Sequence, residues 1–335
     1  MVSRRMFLGL LGGAAALRPG WGAPAAGGLT LAPPTAGQPI LDGSRRKGVF
    51  MDTGTGRPES GMFGNVRKFA DGSPRFHEGI DIAPAQPWRR DEDPTDVVRA
   101  AAAGRVAYVN RHAANPSLYG NYAVLTHEAP GFGTVYTLYA HLRRFQAGLR
   151  AGQAVEAGAP LGIMGHTPDF PLARAHLHFE IGVVMNVHYP LIDPQHGIWN
   201  GANLYGIDPC DAFREQREKG FFDIGAYVRA RPVAYACAVD AAGREMDFFR
   251  RHPSLWHGAW DAGAPSWVAF SREGIPVFGR PLAEGEGRPE AAADRAILRT
   301  GRDWSAPKRR DLLLDNLTAS PAHPPRHPVK LGEVG

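Results

Sequence analysis

The chain has 335 residues, of which 44% are hydrophobic and 21% charged, as in an ordinary globular protein with room for one substantial core and an additional small domain. Its 41 glycines and 29 prolines favour many turns and short strands over long helices. The formal net charge is +5 and falls to +2 without the first 25 residues, which hold three arginines and no acid, and this weak charge without a basic stripe argues against a nucleic-acid partner.

The first residues have the pattern of an export signal. A basic start is followed by a short apolar run and by a small-residue stretch with an A-x-A cleavage site at 23–25. The run is shorter than the roughly 20 apolar residues that span a bilayer, so no stable transmembrane segment is expected in the mature chain. The string SRRMFL at 3–8 resembles a twin-arginine signal, with a Sec signal or a retained anchor as alternatives. We therefore predict a signal peptide over 1–25 and a periplasmic or extracellular location.

The next part of the chain predicts a linker and then a β domain. Residues 26–46 are rich in Pro, Gly and Ala, which is typical of a linker. From 47 to 211, short apolar runs alternate with turn signals, which predicts a mainly β fold. Four of these runs have strand character: GRVAYV at 104–109, NYAVLTH at 121–127, TVYTLYAHL at 134–142 and AHLHFEIGVV at 175–184.

The remaining residues differ in texture from the β domain. Residues 212–318 are predicted to form an accessory region of α+β structure and unknown role, with a short helix within 285–299. The Pro-rich residues 319–335 are predicted to be a disordered tail. Three tryptophans are interpreted as part of a small aromatic core, with a sugar-stacking surface as the alternative: Trp256, Trp260 and Trp267.

The chain has two cysteines, Cys210 and Cys237. Export to an oxidising compartment favours a disulfide between them, which would contribute roughly 3–4 kcal/mol in the chain-entropy model. Two buried thiols are the alternative. The sequence does not decide between them.

Three motifs carry the chemistry, beginning with RFHEGIDIAP. His77 and Asp81 lie four residues apart, and in an extended segment both would point the same way, with Gly79 leaving room between them for something bulky. Alone, this spacing is weak evidence, because a structural ion pair between histidine and aspartate explains it as well.

The other two motifs are RAHLHFEI and TLYAHL. His176 and His178 share one face of a predicted strand, and two buried imidazoles side by side are costly without a metal or hydrogen-bond partners. In TLYAHL, strand alternation places Thr137, Tyr139 and His141 on a common face.

Together the motifs offer four histidines and one aspartate, which is enough for a metal site with imidazoles to spare. Two histidines and one carboxylate with an open fourth position are typical of catalytic zinc, and no paired cysteines suggest a structural site. Zinc held in this way activates water near neutral pH. The remaining histidines could orient water, exchange protons or stabilise an oxyanion.

In this order, H-x-x-x-D, Y-x-H-L and H-x-H resemble the motifs of the lysostaphin/LytM-type zinc endopeptidases, which act on peptidoglycan. The resemblance runs from about Gly61 to Asp208 and includes YGNYAVLTHE and AGLRAGQAVEAGAPLGIMG. It implies an antiparallel β-sheet peptidase domain with an open groove and one zinc ion. The implied zinc ligands are His77, Asp81 and His178. The implied catalytic residues beside the reacting carbonyl are His141 and His176.

The chain departs from this pattern in two places. Before H-x-H the family usually has a Gly-x-Thr-Gly turn, whereas this chain reads MGHTPDFPLARAHLH. A longer stretch than usual, 186–206, precedes Asp208. These departures leave the substrate open. Three further histidines are interpreted as loop residues: His166, His188 and His196.

Three functions fit the sequence to different degrees. The first is an active peptidase that cleaves peptidoglycan stem or bridge peptides. The second is a non-catalytic LytM-type module that binds the cell wall or activates an amidase, but such modules typically lose ligands or catalytic histidines. The third is a cupin-like metal oxygenase, in which H-x-H would come first along the chain. The intact motif set in this order favours the peptidase.

Overall fold

The computed structural model describes residues 27–36, 48–53, 55–68, 74–85, 89, 91–168, 171–239, 246–261, 264–283, 286 and 316–321. The predicted signal peptide, most of the predicted helix within 285–299 and most of the tail lie outside these ranges. In the described residues the fold is mainly antiparallel β, as the sequence predicted. None of the described helices is long and apolar enough to cross a membrane.

The first twelve strands belong to the β domain. Their bounds are β1 (Val66–Lys68), β2 (Pro74–Phe76), β3 (Ile80–Ile82), β4 (Val97–Arg99), β5 (Gly104–Asn110), β6 (Tyr122–Ala129), β7 (Gly133–Ala140), β8 (Leu142–Phe145), β9 (Ala154–Val155), β10 (Pro160–Met164), β11 (Leu177–Val184) and β12 (Leu204–Ile207). The remaining elements are α1 (Pro209–Lys219), α2 (Ile224–Arg229), β13 (Tyr235–Val239), α3 (Asp247–Arg251), β14 (Ser266–Phe270) and β15 (Pro276–Pro281).

The central sheet has seven described strands in the order β12-β11-β7-β6-β5-β9, with β3 also paired to β11. Strands β6, β7 and β11 each have eight residues and form its middle. A smaller sheet, β4-β10-β8, and the pair β1-β2 flank it. The four runs with strand character correspond to β5, β6, β7 with β8, and β11, because their alternating apolar residues are those of buried strands.

Both faces of the central sheet are buried, but they differ in chemistry. On one face, here called the core face, the odd-numbered residues of β11 join the main apolar core, which includes Phe179 and Ile181. On the other face, here called the site face, lie the even-numbered residues His178 and Glu180, beside a smaller cluster rich in tyrosine. The smaller cluster consists of Tyr119, Tyr122, Val124, Tyr136, Leu138, Ala140, Val184 and Leu204.

The segment 27–36 packs against the fold, although the sequence assigned it to a linker. Leu29 and Leu31 are buried in the main core. Gln216 of α1 hydrogen-bonds both backbone groups of Leu31, and its Nε2 donates to the Leu31 carbonyl at 2.6 Å. The apolar side chains and this clamp explain why a Pro- and Gly-rich composition does not leave the segment extended in solvent.

The region after residue 211 shares the core of the β domain. Helices α1 and α2 and the sheet β13-β14-β15 contribute Phe213, Val228 and Phe270 to the same apolar cluster as β11. Residues 316–321, at the predicted start of the tail, are largely buried, and Leu317 belongs to this cluster too. The predicted boundaries at 211 and 318 therefore do not separate independent cores.

The two cysteines are free thiols, so the disulfide that export favoured is absent. Cys237 is buried in β13 within the main core, and Cys210 lies in the first turn of α1. A buried thiol among apolar side chains behaves as a small hydrophobic residue. Of the tryptophans, Trp256 and Trp267 pack against the core, whereas Trp260 is 37% exposed.

Candidate metal centre and substrate groove

His77, Asp81 and His178 lie together in the structure and are all buried. The pairing of β3 with β11 sets Asp81 directly opposite His178, and His77 lies just before β3. His77 Nε2 and His178 Nδ1 are each 3.0 Å from Asp81 Oδ1 and 3.1 Å from each other. The register of β3 against β11 therefore brings one side-chain atom of each of the three residues into a cluster.

The glycine between His77 and Asp81 has a different role from the one that the sequence suggested. A Cβ on Gly79 would lie 2.3 Å from the carbonyl oxygen of Phe179. Glycine is thus needed for the close approach of this segment to β11, and not for space between the two ligands. The interpretation of Gly79 as a gap for a bulky group is wrong.

The cluster fits a tetrahedral metal ion. Ligand atoms that share a zinc at about 2.0–2.1 Å lie roughly 3.3 Å apart, close to the spacing of these three atoms. His77 Nδ1 donates to the Met62 carbonyl at 2.9 Å, which leaves the lone pair on Nε2. His178 presents Nδ1 to the cluster, and its other nitrogen has a partner of its own, as metal-binding imidazoles usually do.

That partner is Glu180, which the sequence analysis did not single out. Glu180 is fully buried on the site face, and its carboxylate accepts from His178 Nε2 at 2.8 Å. It also accepts from the hydroxyls of Tyr119 at 2.8 Å and Tyr136 at 2.7 Å. The signal was present in the sequence, because a residue two positions after His178 in a strand shares its face.

Arg67 lies on the outer side of the cluster and was also missed. Its guanidinium donates to Asp81 Oδ2 at 2.5 Å and to the Ser60 carbonyl, so Oδ1 is the oxygen that faces the histidines. With His178 neutral, Asp81 and Glu180 carry two negative charges against the one positive charge of Arg67. A divalent cation would compensate this excess of buried negative charge.

The pKa values of the three candidate ligands reflect these contacts. Burial lowers the pKa of His77 to about 4. Burial opposes ionisation of Asp81, but His77 and Arg67 outweigh it and hold the pKa of Asp81 well below its ordinary value. Burial also opposes the charge on His178, yet its hydrogen bonds to Asp81 and Glu180 raise its pKa to about 9.

His141 reaches the site through an unusual backbone conformation. Strand alternation would place His141 on the core face with Thr137 and Tyr139, since those residues pair with Ile181 and Phe179. Its φ of 62° is in the left-handed region, which turns the side chain to the groove instead. The expected common face for Thr137, Tyr139 and His141 is therefore wrong at its last residue.

His141 and His176 are held in the same way. His141 Nδ1 donates to the Thr167 carbonyl at 2.7 Å, and His176 Nδ1 donates to the Arg174 carbonyl at 2.6 Å. Each ring therefore carries its lone pair on Nε2, and His176 Nε2 is 3.6 Å from Asp81 Oδ1. Burial lowers the pKa of both histidines, so both are neutral at pH 7.

A groove of about 1320 Å³ passes over this cluster. Its floor contains Asp81, His141, His176 and His178. Residues of the segment 53–67 also line the groove, as do Leu118 and Tyr119. Among the residues described here, the three histidines interpreted as loop residues lie in loops and do not line the groove: His166, His188 and His196.

The model of peptidase family M23 matches residues 75–190, the segment that holds all five predicted site residues. The matched residues lie within the β domain. The lysostaphin/LytM-type resemblance drawn from the three motifs is thereby confirmed. No curated protein sequence matches the chain.

Several solved structures are similar to part of the chain. A zinc-containing peptidase from Vibrio cholerae is 26% identical over 36% of this chain and 31% of its own, with a TM-score of 0.27. Csd3 of Helicobacter pylori is 20% identical over 48% of this chain and 38% of its own, with a TM-score of 0.28. The catalytic domain of lysostaphin from Staphylococcus simulans is 19% identical over 46% of this chain and 89% of its own, with a TM-score of 0.30. The chain thus spans about a third of the length of the first two.

Proposed function

We propose that the protein is a zinc-dependent endopeptidase that hydrolyses peptide bonds in peptidoglycan stem peptides or crosslinks. The observation that carries the proposal is the presence of two kinds of histidine in one groove. His77 and His178 share a metal-sized cluster with Asp81. His141 and His176 line the groove beside it and are fixed by backbone carbonyls. A binding module has no need for the second pair.

Each residue has a distinct part in this reaction. His77, Asp81 and His178 would hold one zinc ion, which supplies Lewis-acid polarisation and water activation when bound. His141 and His176 are neutral and have their lone pairs on Nε2, so either can accept a proton from water and return it to the leaving amine. When protonated, the same nitrogens donate a hydrogen bond to the oxyanion of the peptide carbonyl.

The substrate and location rest on different support. The peptidoglycan substrate is inferred from the match of residues 75–190 to the M23 family model and from the resemblance of the three motifs to the lysostaphin/LytM-type endopeptidases. The predicted signal peptide over 1–25 supports export to the periplasm or cell surface, by the twin-arginine route. The non-catalytic module that binds cell wall or activates an amidase remains the competing function, because some M23 members are inactive.

Incubation of the mature protein with purified sacculi, with and without a chelator, tests the proposal. We expect soluble peptide fragments from the untreated protein, and none after chelation or with His141→Ala. Separation of the fragments by mass would also identify the bond that is cut. Sacculi that stay intact at every zinc concentration would contradict the peptidase and favour the binding module.

A further inference from the structure

An exposed leucine lines the same groove as the candidate catalytic residues. Leu118 is 64% exposed, and among the described residues it is one of five large hydrophobic side chains with high exposure. Two of those five line the groove: Leu118 and Val66, which is 37% exposed. Single exposed leucines are ordinary on a surface, but two exposed apolar side chains that line the same groove indicate a contact with a ligand.

The backbone beside Leu118 is tied to the candidate centre. The Tyr119 carbonyl accepts from the His141 backbone N–H at 3.0 Å, and the Tyr119 hydroxyl donates to Glu180 at 2.8 Å. Leu118 lies in the loop 111–121 between β5 and β6. Asn110 closes the base of this loop, because its side-chain amide donates to the carbonyls of Asn115 and Gly120 at 3.0 Å each. Leu118 is therefore presented from a loop with a fixed position relative to His141.

The tip of this loop is supported by the long stretch 186–206. Gln195 Nε2 and His196 Nε2 both donate to the Pro116 carbonyl at 3.0 Å. Asn115 donates to His196 Nδ1 at 2.9 Å, so the imidazole contacts two consecutive residues of the loop. His196 has a φ of 62°, a conformation that a non-glycine residue keeps only where its surroundings impose it.

The C-terminal residues hold the base of the 186–206 stretch in turn. Asn186 donates to the Ala319 carbonyl at 3.0 Å, and Tyr189, Ile192 and Ala319 form a small apolar cluster. The Arg251 guanidinium donates to the carbonyls of Val184 and Met185, at 2.8 and 2.9 Å. In its described part the accessory region therefore does not line the groove. It supports the stretch 186–206, which in turn supports the loop that carries Leu118.

We propose that Leu118 contacts an apolar side chain of the substrate next to the scissile bond, and that Gln195 and His196 are positioning residues that hold Leu118 over the groove. This inference rests on the proposed peptidase function and specifies its substrate class. The preferred peptide has an uncharged residue with a side chain next to the scissile bond, because a glycine at that position cannot make the contact with Leu118.

The test compares two peptides that differ only in alanine or glycine next to the scissile bond. For Leu118→Ala we expect kcat/KM on the alanine peptide to fall about tenfold, mainly through KM, with little change on the glycine peptide. Leu191→Ala is the matched control, because Leu191 is 41% exposed and does not line the groove. It should leave both peptides unchanged.

His196→Ala tests the positioning role. We expect the same loss of preference for alanine over glycine as in Leu118→Ala, with the bound zinc per chain unchanged. The double variant of His196→Ala with Leu118→Ala should show no further loss of this preference. A general structural defect would lower activity on both peptides equally. An unchanged alanine-to-glycine ratio in Leu118→Ala would overturn the inference. If the wild type hydrolyses neither peptide, the proposed function fails. The role of Leu118 is then tested by binding: the ratio of the dissociation constants of the glycine and alanine peptides should fall in Leu118→Ala and in His196→Ala.

Discussion

Strand β11 has two buried faces that are stabilised in different ways. On the core face, Phe179 and Ile181 pack among apolar side chains, where stability depends on the area removed from water and on close packing. On the site face, His178 and Glu180 are equally buried, but each polar atom needs a specific partner. The core face thus determines whether the domain folds, whereas the site face determines whether it can bind a metal.

The largest expected effect comes from the core face. Phe179→Ala removes a fully buried ring, so we expect a loss of about 3–5 kcal/mol in the free energy of unfolding. Urea denaturation of the metal-free protein measures this loss, with Leu191→Ala as an exposed control near zero. A loss of less than about 1 kcal/mol would show that the core face does not carry the fold.

Part of the pH dependence of stability should also come from the core face. Burial lowers the pKa of His127 to about 4, and this histidine bonds Ala103 and Thr137, away from the metal cluster. Because its folded pKa lies below its unfolded value, its contribution is complete above about pH 6.5 and is lost as the pH falls towards 4.

The expected slope is up to about 1.4 kcal/mol per pH unit from this residue. Urea denaturation at pH 7, 6 and 5 measures it. His252 adds to the slope in the same direction, because burial lowers its pKa to about 3. In His127→Gln the slope should be reduced, and a slope equal to that of the wild type would contradict the assignment.

A smaller effect is expected on the site face, and it concerns the metal rather than the fold. Glu180→Gln keeps the shape of the side chain but removes the charge that supports His178, so zinc affinity should fall about 10–100-fold. Competition with a chromophoric chelator measures this affinity. Tyr136→Phe, which removes one of the donors to Glu180, should cause a smaller loss. Equal zinc affinity in Glu180→Gln and the wild type would show that Glu180 does not act on the metal.

The sequence predicted the part of the site that depends on local spacing. His77 and Asp81 lie in one short segment, and His176 and His178 flank one residue, so motif order and strand alternation were enough to find them. The antiparallel sheet followed from the same alternation, because its middle strands bury every second residue in the main core.

The rest depended on contacts between distant segments. Arg67 meets Asp81 across 14 residues, and Tyr119 meets Glu180 across 61, so no periodicity reveals either contact. His141 was assigned to the wrong face, because alternation assumes an extended backbone and its φ is positive. The packing of 27–36 could not be predicted, because a Pro-rich composition does not indicate that Leu29 and Leu31 are buried in the core.

Zinc content measured alongside turnover tests the division of roles among the histidines most directly. His178→Ala removes a ligand, so we expect both the bound zinc and the hydrolysis of sacculi to be lost. His141→Ala leaves the three ligands intact, so it should keep about one zinc per chain while turnover falls by about 10²–10⁴. Loss of zinc from His141→Ala, or wild-type turnover by a zinc-loaded His141→Ala, would contradict the account.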